Sequence, residues 1–200
     1  MVTRLKEIFN SGEALQMIYR VNSGGIPTST WLHEAGEGGG MLIGEMCHFV
    51  DLMQFICGER PKSVYAQSLV LNNQNFSDHD NLTIVVSFDG GSVGTLSYNT
   101  VGNSAFPKER VEVYGGGSVA VIDDFRSLEI IKRGKPIRIK AANQDKGQKR
   151  EVEETIKSFR AAGAAPIPFE ELVAGMKVVF AARQSATSGQ PVALAHADVA

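Results

Sequence analysis

The sequence lacks a strong charge of either sign, and this limits the partners that it can bind. Its 20 Lys and Arg residues nearly balance its 22 Asp and Glu residues, so the formal net charge is -2. The basic residues form no stripe along the chain, and the sequence therefore predicts no surface for nucleic acid or anionic lipid. We expect small molecules or other proteins as partners.

Cysteines and long apolar runs are also scarce. The only two cysteines, Cys47 and Cys57, lie in one apolar segment, at a spacing that suits neither a short metal knuckle nor a close disulfide within a helix. We expect two buried free thiols in a reducing cytoplasm. No apolar run approaches the roughly 18 residues that span a bilayer, and the opening MVTRLKEIFN lacks the apolar core of a signal peptide. The sequence predicts a cytoplasmic protein without a membrane span.

Hydrophobic periodicity divides the chain into helices and strands. Apolar residues recur at three- and four-residue steps in four segments, which predicts helices over residues 2–10, 41–56, 148–163 and 169–189. The last two helices each carry an apolar stripe, formed by Val152, Ile156 and Phe159 and by Leu172, Met176, Val179 and Phe180. Alternating or β-branched runs predict strands over residues 15–21, 63–71, 81–88, 92–100, 110–115, 118–123, 127–133 and 135–140. We expect one α+β domain over residues 1–200, with an open, mostly antiparallel sheet and helices packed on one face.

One glycine-rich motif imitates a dinucleotide fingerprint. Residues 115–120, GGGSVA, fit G-x-G-x-x-A directly after a predicted strand. A true fingerprint continues into a helix, whereas SVAVIDD alternates as a strand. The sequence therefore predicts a hairpin turn here, and no nucleotide-binding βαβ unit.

The helix predicted from Met41 carries the best candidates for chemistry. Glu45, His48 and Asp51 lie three residues apart and can all border one hollow. An imidazole with a carboxylate to orient it suits acid–base catalysis, while a surface histidine paired with a neighbouring acid is the plainer alternative. Three glycines precede the helix, in a long loop over residues 22–40 that also holds Trp31 and His33. Glycines let a backbone approach a ligand closely, although a plain flexible loop is the other interpretation.

A metal site is the weaker interpretation of the same helix. Glu45 and His48 form a single E-x-x-H, and a di-iron bundle needs a second copy that the sequence does not contain. A zinc site needs further ligands, for which His33, His79 and His196 are the remaining histidines. We expect no metal.

These residues resemble a known family. The segment GEGGGMLIGEMCHFVDLMQFICGERPKSVYAQ is similar to the opening of the C-terminal domain in the Gfo/Idh/MocA superfamily, which includes glucose-fructose oxidoreductase and inositol dehydrogenase. The stretches VEVYGGGSVAVID and FEELVAGMKVVFAARQSATSGQPVAL resemble later parts of that domain. The match runs in order over nearly the whole chain. It implies a sheet domain of the type seen at the C-terminus of glyceraldehyde-3-phosphate dehydrogenase.

The resemblance also implies a function and roles for residues. It implies an NAD- or NADP-dependent oxidoreductase acting on a sugar, cyclitol or related polyol, with the cofactor held by an N-terminal Rossmann domain that these residues do not include. This domain would bind substrate and pair subunits into a homo-oligomer through its sheet. His48 matches the catalytic histidine, Glu45 would orient it, and Trp31, His33 and Asp51 would line the substrate pocket. The isolated chain is expected to be inactive.

The sequence departs from the family pattern at one position beside the histidine. Inositol dehydrogenases place an acid four residues before it, where this chain has Gly44, and Glu45 is displaced by one residue. Such a displacement turns a helical side chain by about 100°. Glu45 is therefore either a substitute or only a neighbour. A non-catalytic module that binds a sugar or a protein is the alternative function.

Overall fold

The computed structural model describes residues 1–10, 12–34, 37–72 and 75–195. Four α-helices lie in this part of the chain: α1 Val2–Ile8, α2 Met41–Cys57, α3 Gln148–Arg160 and α4 Phe169–Ser188. The nine strands of the same part are β1 Gln16–Asn22, β2 Pro61–Ser68, β3 Leu82–Phe88, β4 Val93–Asn99, β5 Glu109–Gly115, β6 Ser118–Asp123, β7 Ser127–Lys132, β8 Lys135–Lys140 and β9 Val192–Ala193. The predicted α+β class is confirmed.

All nine strands join one open sheet in the order β8-β7-β6-β5-β1-β4-β3-β2-β9. Neighbours that follow one another in sequence pair antiparallel, as the tight turns between them predict. The exception is β1, which lies between β5 and β4 and pairs parallel with β4. The sheet is therefore mixed but mostly antiparallel.

Helix α2 lies on one face of this sheet and forms the centre of the core. Its buried residues recur at helical steps: Met41, Leu42, Met46, Phe49, Val50, Met53, Gln54 and Ile56. The Phe49 ring packs between Tyr19 of β1 and Tyr98 of β4, with ring centroids 5.1 and 5.8 Å away. The helix ends at Gly58, whose left-handed φ of 73° lets its N–H bond to the carbonyl of Gln54.

Helix α4 packs beside α2 and over β2. Its buried residues are mostly small, and Val179 is the only member of the predicted stripe among them: Gly175, Val178, Val179, Ala181, Ala182 and Ser185. Leu172 and Phe180 are 46% and 55% exposed. Helix α3 buries none of its residues, and its stripe of Val152, Ile156 and Phe159 faces solvent. The described residues therefore leave uncovered the α3 stripe and, in the α4 stripe, Leu172 and Phe180.

The opposite face of the sheet carries no helix in the described residues. Ile18, Tyr65, Val93 and Ile131 are each 37–40% exposed, and their registers place them on this face. The predicted hairpin at residues 115–120 is confirmed. Gly116 and Gly117 connect β5 to β6 with φ of 53° and 67°, the left-handed conformation of a two-residue hairpin loop.

The sequence predicts buried free thiols and no membrane span. Cys47 and Cys57 are free and partly buried. In the ranges that the structure describes, no helix is both long enough and apolar enough to cross a membrane.

Candidate functional site

The glycine triplet closes the loop onto itself in front of α2. A side chain at Gly38 would meet the Leu32 carbonyl oxygen at 2.0 Å, so only glycine fits there. Gly39 and Gly40 take left-handed φ values of 71° and 85°, and the Gly40 N–H donates to the same Leu32 carbonyl at 2.8 Å. The close contact and the left-handed backbone therefore explain why these three positions are glycine.

His33 and Asp80 fix this loop to the start of α2. The His33 Nε2 lies 2.5 Å from the Asp80 carboxylate, and its Nδ1 lies 3.0 Å from the Thr30 hydroxyl. The other Asp80 oxygen accepts the Leu42 N–H at 3.1 Å, in the first turn of α2. The two side chains are only 11% and 3% exposed. Asp80 thus acts as a helix cap supplied from a distant part of the chain.

A hollow of about 340 Å³ opens beside this pair. Its walls come from the loop, from α2, from the turn before β3 and from α4: His33, Glu34, Gly39, Gly40, Leu42, Ser77, His79, Asp80 and Arg183. The hollow is large enough for a sugar-sized ligand and is lined mostly by hydrogen-bonding groups. Of the predicted substrate residues, only His33 lines it.

Glu45 points from α2 toward the sheet and is held there by three donors. The Lys108 ammonium donates to its carboxylate at 2.9 Å, the Tyr98 hydroxyl at 2.8 Å and the Ser23 hydroxyl at 3.3 Å. Burial by itself raises the pKa of Glu45, but the hydrogen bonds from Lys108, Tyr98 and Ser23 outweigh it. The pKa therefore lies below its ordinary value, and the ionised form is favoured.

His48 and Asp51 lie on the outward side of α2 instead. The His48 ring is exposed, and in the described chain it has no hydrogen-bond partner, Glu45 included. Asp51 is partly buried. Burial raises the pKa of Asp51, the His48 charge opposes that shift, and Glu151 of α3 adds to it. Asp51 is thus the carboxyl that interacts electrostatically with His48.

The predicted site residues therefore fall into three places. His33 lines the hollow, Glu45 joins the sheet-side cluster, and His48 with Asp51 faces outward from α2. Trp31 is 63% exposed in a single 3-10 turn and lies outside the lining of the hollow.

Three residues of these clusters were missed by sequence reasoning. Asp80 and Lys108 lie 38 and 63 residues from their partners on α2, Arg183 lines the hollow from α4, and no local spacing connects them to α2. The one usable signal was the DHD run at residues 78–80, where acids and a histidine interrupt a loop before a predicted strand.

The chemistry available is acid–base chemistry. An exposed imidazole beside a carboxyl can accept or return a proton, and the Lys108 ammonium can donate hydrogen bonds. In the described ranges, no group of three His, Cys, Asp or Glu side chains is placed to hold a metal ion. His196, one of the histidines considered for zinc, lies outside the described residues.

Comparison with solved structures supports the fold. The chain is similar to an oxidoreductase domain protein from Kribbella flavida, with a TM-score of 0.82 and 16% identity over 98% of this chain and 63% of that one. It is also similar to an aldose-aldose oxidoreductase from Caulobacter crescentus complexed with glycerol, with a TM-score of 0.77 and 16% identity over 96% and 60%. A third similar structure is an oxidoreductase from Agrobacterium radiobacter in complex with NAD+, L-tartaric acid and magnesium. Its TM-score is 0.76, and its identity is 15% over 96% of this chain and 61% of that one.

These structures are longer than this chain, which spans about three fifths of their length. No curated protein matches the sequence. A family model for the GFO/IDH/MocA C-terminal domain matches residues 4–119, more than half of the chain and the part that includes α2, its glycine triplet and Lys108. The chain therefore belongs to the GFO/IDH/MocA C-terminal domain family.

Proposed function

We propose that this chain is the substrate-binding and oligomerisation domain of an NAD- or NADP-dependent oxidoreductase that acts on a sugar, cyclitol or related polyol. The observation that carries the proposal is the exposed His48 beside Asp51 on the outward side of α2, in a domain of this family. Relatives of the same fold were solved with glycerol and with NAD+ and L-tartaric acid. These ligands are consistent with a polyhydroxylated substrate and a nicotinamide cofactor.

His48 is the catalytic residue in this proposal. Oxidation of a secondary alcohol removes a hydride from carbon and a proton from the hydroxyl. A nicotinamide cofactor held by a separate domain would supply the hydride acceptor, and His48 would take the proton. Asp51 stabilises the imidazolium that forms, because its carboxyl interacts with His48. His33 and the hollow beside it would receive the remaining hydroxyls, with Trp31 at the loop surface.

The described residues do not fit the cofactor itself. The glycine motif at 115–120 turns a hairpin, and the glycines before α2 end a loop of 18 residues after β1 instead of forming the tight strand-to-helix turn that holds a pyrophosphate. The proposal therefore includes a separate Rossmann domain, as the longer relatives allow, and the 200 residues alone are expected to be inactive. A cytoplasmic location is part of the same proposal.

The test is removal of the imidazole in the full-length polypeptide that contains this chain. His48→Ala is expected to lower kcat with a polyol and NAD or NADP by about 100-fold to 10,000-fold, which is the usual contribution of a general acid–base. Gln184→Ala, at an exposed position of α4, is the control and is expected to leave kcat unchanged. Activity of His48→Ala within about tenfold of the parent would remove His48 from the reaction.

A binding module without catalysis is a second candidate, and one observation favours it. Glu45, one of the two acids that lie three residues from His48, is committed to Lys108, Tyr98 and Ser23, and Gly44 supplies no carboxyl to His48. Under this alternative, His48→Ala would weaken sugar binding without affecting any turnover. Parallel binding and turnover measurements on the same variant distinguish the two.

Subunit pairing through the helix-free face of the sheet completes the proposal. Ile18, Tyr65 and Val93 are partly exposed apolar groups on this face, and a second copy would bury them. Light scattering of the parent and of Val93→Glu tests this. We expect a dimer that dissociates in the variant, and a monomeric parent would contradict the pairing.

A further inference from the structure

Helix α3 lies on the domain with almost none of its surface packed. Its 13 residues, Gln148–Arg160, include no buried residue, and only Thr155 and Ser158 are partly buried. In the described residues, its side-chain hydrogen bonds and ion pairs stay within the helix and the loop that follows it: Lys149 with Glu153, Lys157 with Glu154, and Ser158 with the Ala164 carbonyl. The segment before α3 therefore holds the helix in place.

That segment is anchored in the core of the domain. The Lys146 ammonium bonds to the Glu109 carboxylate at 2.5 Å, and the Glu109 side chain is only 6% exposed. The Tyr19 hydroxyl donates to the same carboxylate, and the Gln144 side chain donates to the Asp124 carbonyl at 2.9 Å. One end of α3 is thus fixed, while the helix itself extends from this anchor.

The apolar stripe of α3 is turned away from the rest of the described domain. The side of the helix that faces the domain is a polar row: Glu151, Thr155 and Ser158. The stripe follows this row by one residue at each position, which is about 100° round the helix. Its members are 57%, 47% and 82% exposed: Val152, Ile156 and Phe159.

A helix of this length needs a surface to pack against. Isolated helices shorter than about 12–15 residues are marginal in water, and most helical stability in proteins comes from the packing of an apolar face. Helix α3 has such a face, and nothing in the described residues covers it. The stable form of α3 therefore requires a partner surface from outside these residues.

We infer that α3 is a docking helix, whose apolar stripe packs against the separate domain that carries the nicotinamide and which becomes stable when that domain docks. This inference rests on the proposed function. The position of α3 supports this partner, because Glu151 lies close to Asp51 on the outward side of α2, where a nicotinamide has to approach His48. About two fifths of the length of the similar structures lies outside the match, which is enough chain for such a domain.

A second copy of the chain is the weaker candidate for this surface. The proposed subunit pairing uses the helix-free face of the sheet, whereas Glu151 places α3 on the side of α2. A dimer formed through the sheet therefore leaves the stripe exposed. Coupling the folding of α3 to docking would complete the His48 side of the domain only when the cofactor domain is present.

The test is hydrogen exchange, measured by mass spectrometry, of the α3 amides in the 200-residue chain and in the full-length polypeptide that contains it. Val152→Asp puts a charge on the stripe, and Val70→Asp, at a 79% exposed position after β2, is the matched control. Phe159→Ala removes an apolar group from the stripe and favours the helix, so a loss of docking in this variant is not a loss of helix propensity. The α2 amides report in every variant whether the core is folded.

We expect the α3 amides of the 200-residue chain to exchange nearly as fast as those of an unfolded peptide, as fraying segments do. In the full-length polypeptide they should exchange at least about 100-fold more slowly. Val152→Asp and Phe159→Ala should each remove most of this protection, while Val70→Asp should keep it within about threefold of the parent.

Slow exchange of α3 in the dilute 200-residue chain would overturn the inference, because the helix would then need no partner. Protection that grows with the concentration of that chain would assign the stripe to a second copy instead. Fast exchange in a full-length polypeptide that oxidises a polyol through His48 would refute the docking and leave the proposed function intact. Protection that Val152→Asp removes, in a full-length polypeptide without such turnover, would support the docking and contradict the proposed function.

Discussion

Replacing Asp80 is expected to loosen the helix that carries His48. The carboxylate of Asp80 is 3% exposed, bonds to His33 at 2.5 Å and caps α2 through Leu42 at 3.1 Å. A hydrogen bond that involves a charged group contributes about 1.5–3 kcal/mol, and a helix cap contributes about 0.5–2 kcal/mol. Asp80→Ala loses both, so the free energy of unfolding should fall by roughly 2–5 kcal/mol. For a domain of this size that lowers Tm by about 5–15 °C.

Urea unfolding followed by circular dichroism measures this loss. Asp80→Asn keeps an acceptor for the Leu42 N–H and should lose less than Asp80→Ala. Glu170→Gln removes an exposed carboxylate from the first turn of α4 and is the control, with an expected change below about 0.5 kcal/mol. A double-mutant cycle with His33→Ala isolates the side-chain pair, for which we expect a coupling of about 1.5–3 kcal/mol. A coupling near zero, or an Asp80→Ala loss as small as that of the control, would refute the capping role.

Three further predictions concern the same region. Lys108→Met should destabilise the fold by on the order of 1 kcal/mol at pH 7. The pKa of Glu45 is lowered in the folded chain. The difference in unfolding free energy between Lys108→Met and the parent should therefore disappear in urea titrations as pH falls below about 4. Asp51→Asn should stabilise the fold by about 0.5–1 kcal/mol at pH 7, because the raised pKa of Asp51 makes its charged form unfavourable, and the gain should shrink toward pH 3; a loss of stability at pH 7 would contradict this. Gly38→Ala should lower Tm by several degrees, since its Cβ collides with the Leu32 carbonyl at 2.0 Å, and an unchanged Tm would exclude that loop closure.

Much of the fold could be predicted from the sequence because its signals are local. The alternation in β3 to β8 and the tight turns after β3, β5, β6 and β7 specify hairpins, and the steps from Met41 to Ile56 specify α2. The parallel pairing of β1 with β4 could not be predicted, since it joins segments about 75 residues apart with no turn between them. The two-residue β9 is too short to leave a pattern.

The apolar stripes of the last two helices show a second limit of prediction from sequence. A stripe such as Val152, Ile156 and Phe159 indicates that a face can be buried, but it does not identify what covers it. In α4 the buried residues are mostly small, and Gly175 lies near the α2 backbone at Cys47, because close helix packing favours small side chains.

The candidate site was only partly predictable for the same reason. His48 and Asp51 were found because they share one helix face, and the family pattern singled out the histidine. The direction of Glu45 depends on Lys108, and the ordering of the loop depends on Asp80. Both partners come from beyond the helix, and only the folded sheet brings them to it.

The place of β1 in the sheet has a consequence for how the chain folds. On one side of β1, strands β5 to β8 form a meander of successive hairpins, and on the other side β2 to β4 form a second one. The loops within the two meanders have between two and 13 residues, whereas β1 must pair with strands that follow it by about 75 and 95 residues. The first strand of the chain therefore connects two groups of strands, β5 to β8 and β2 to β4, each of which can pair internally without it. We expect pulse-labelled hydrogen exchange to protect the amides of β1 last, and a molecule that has lost this strand to separate into two independent sheets.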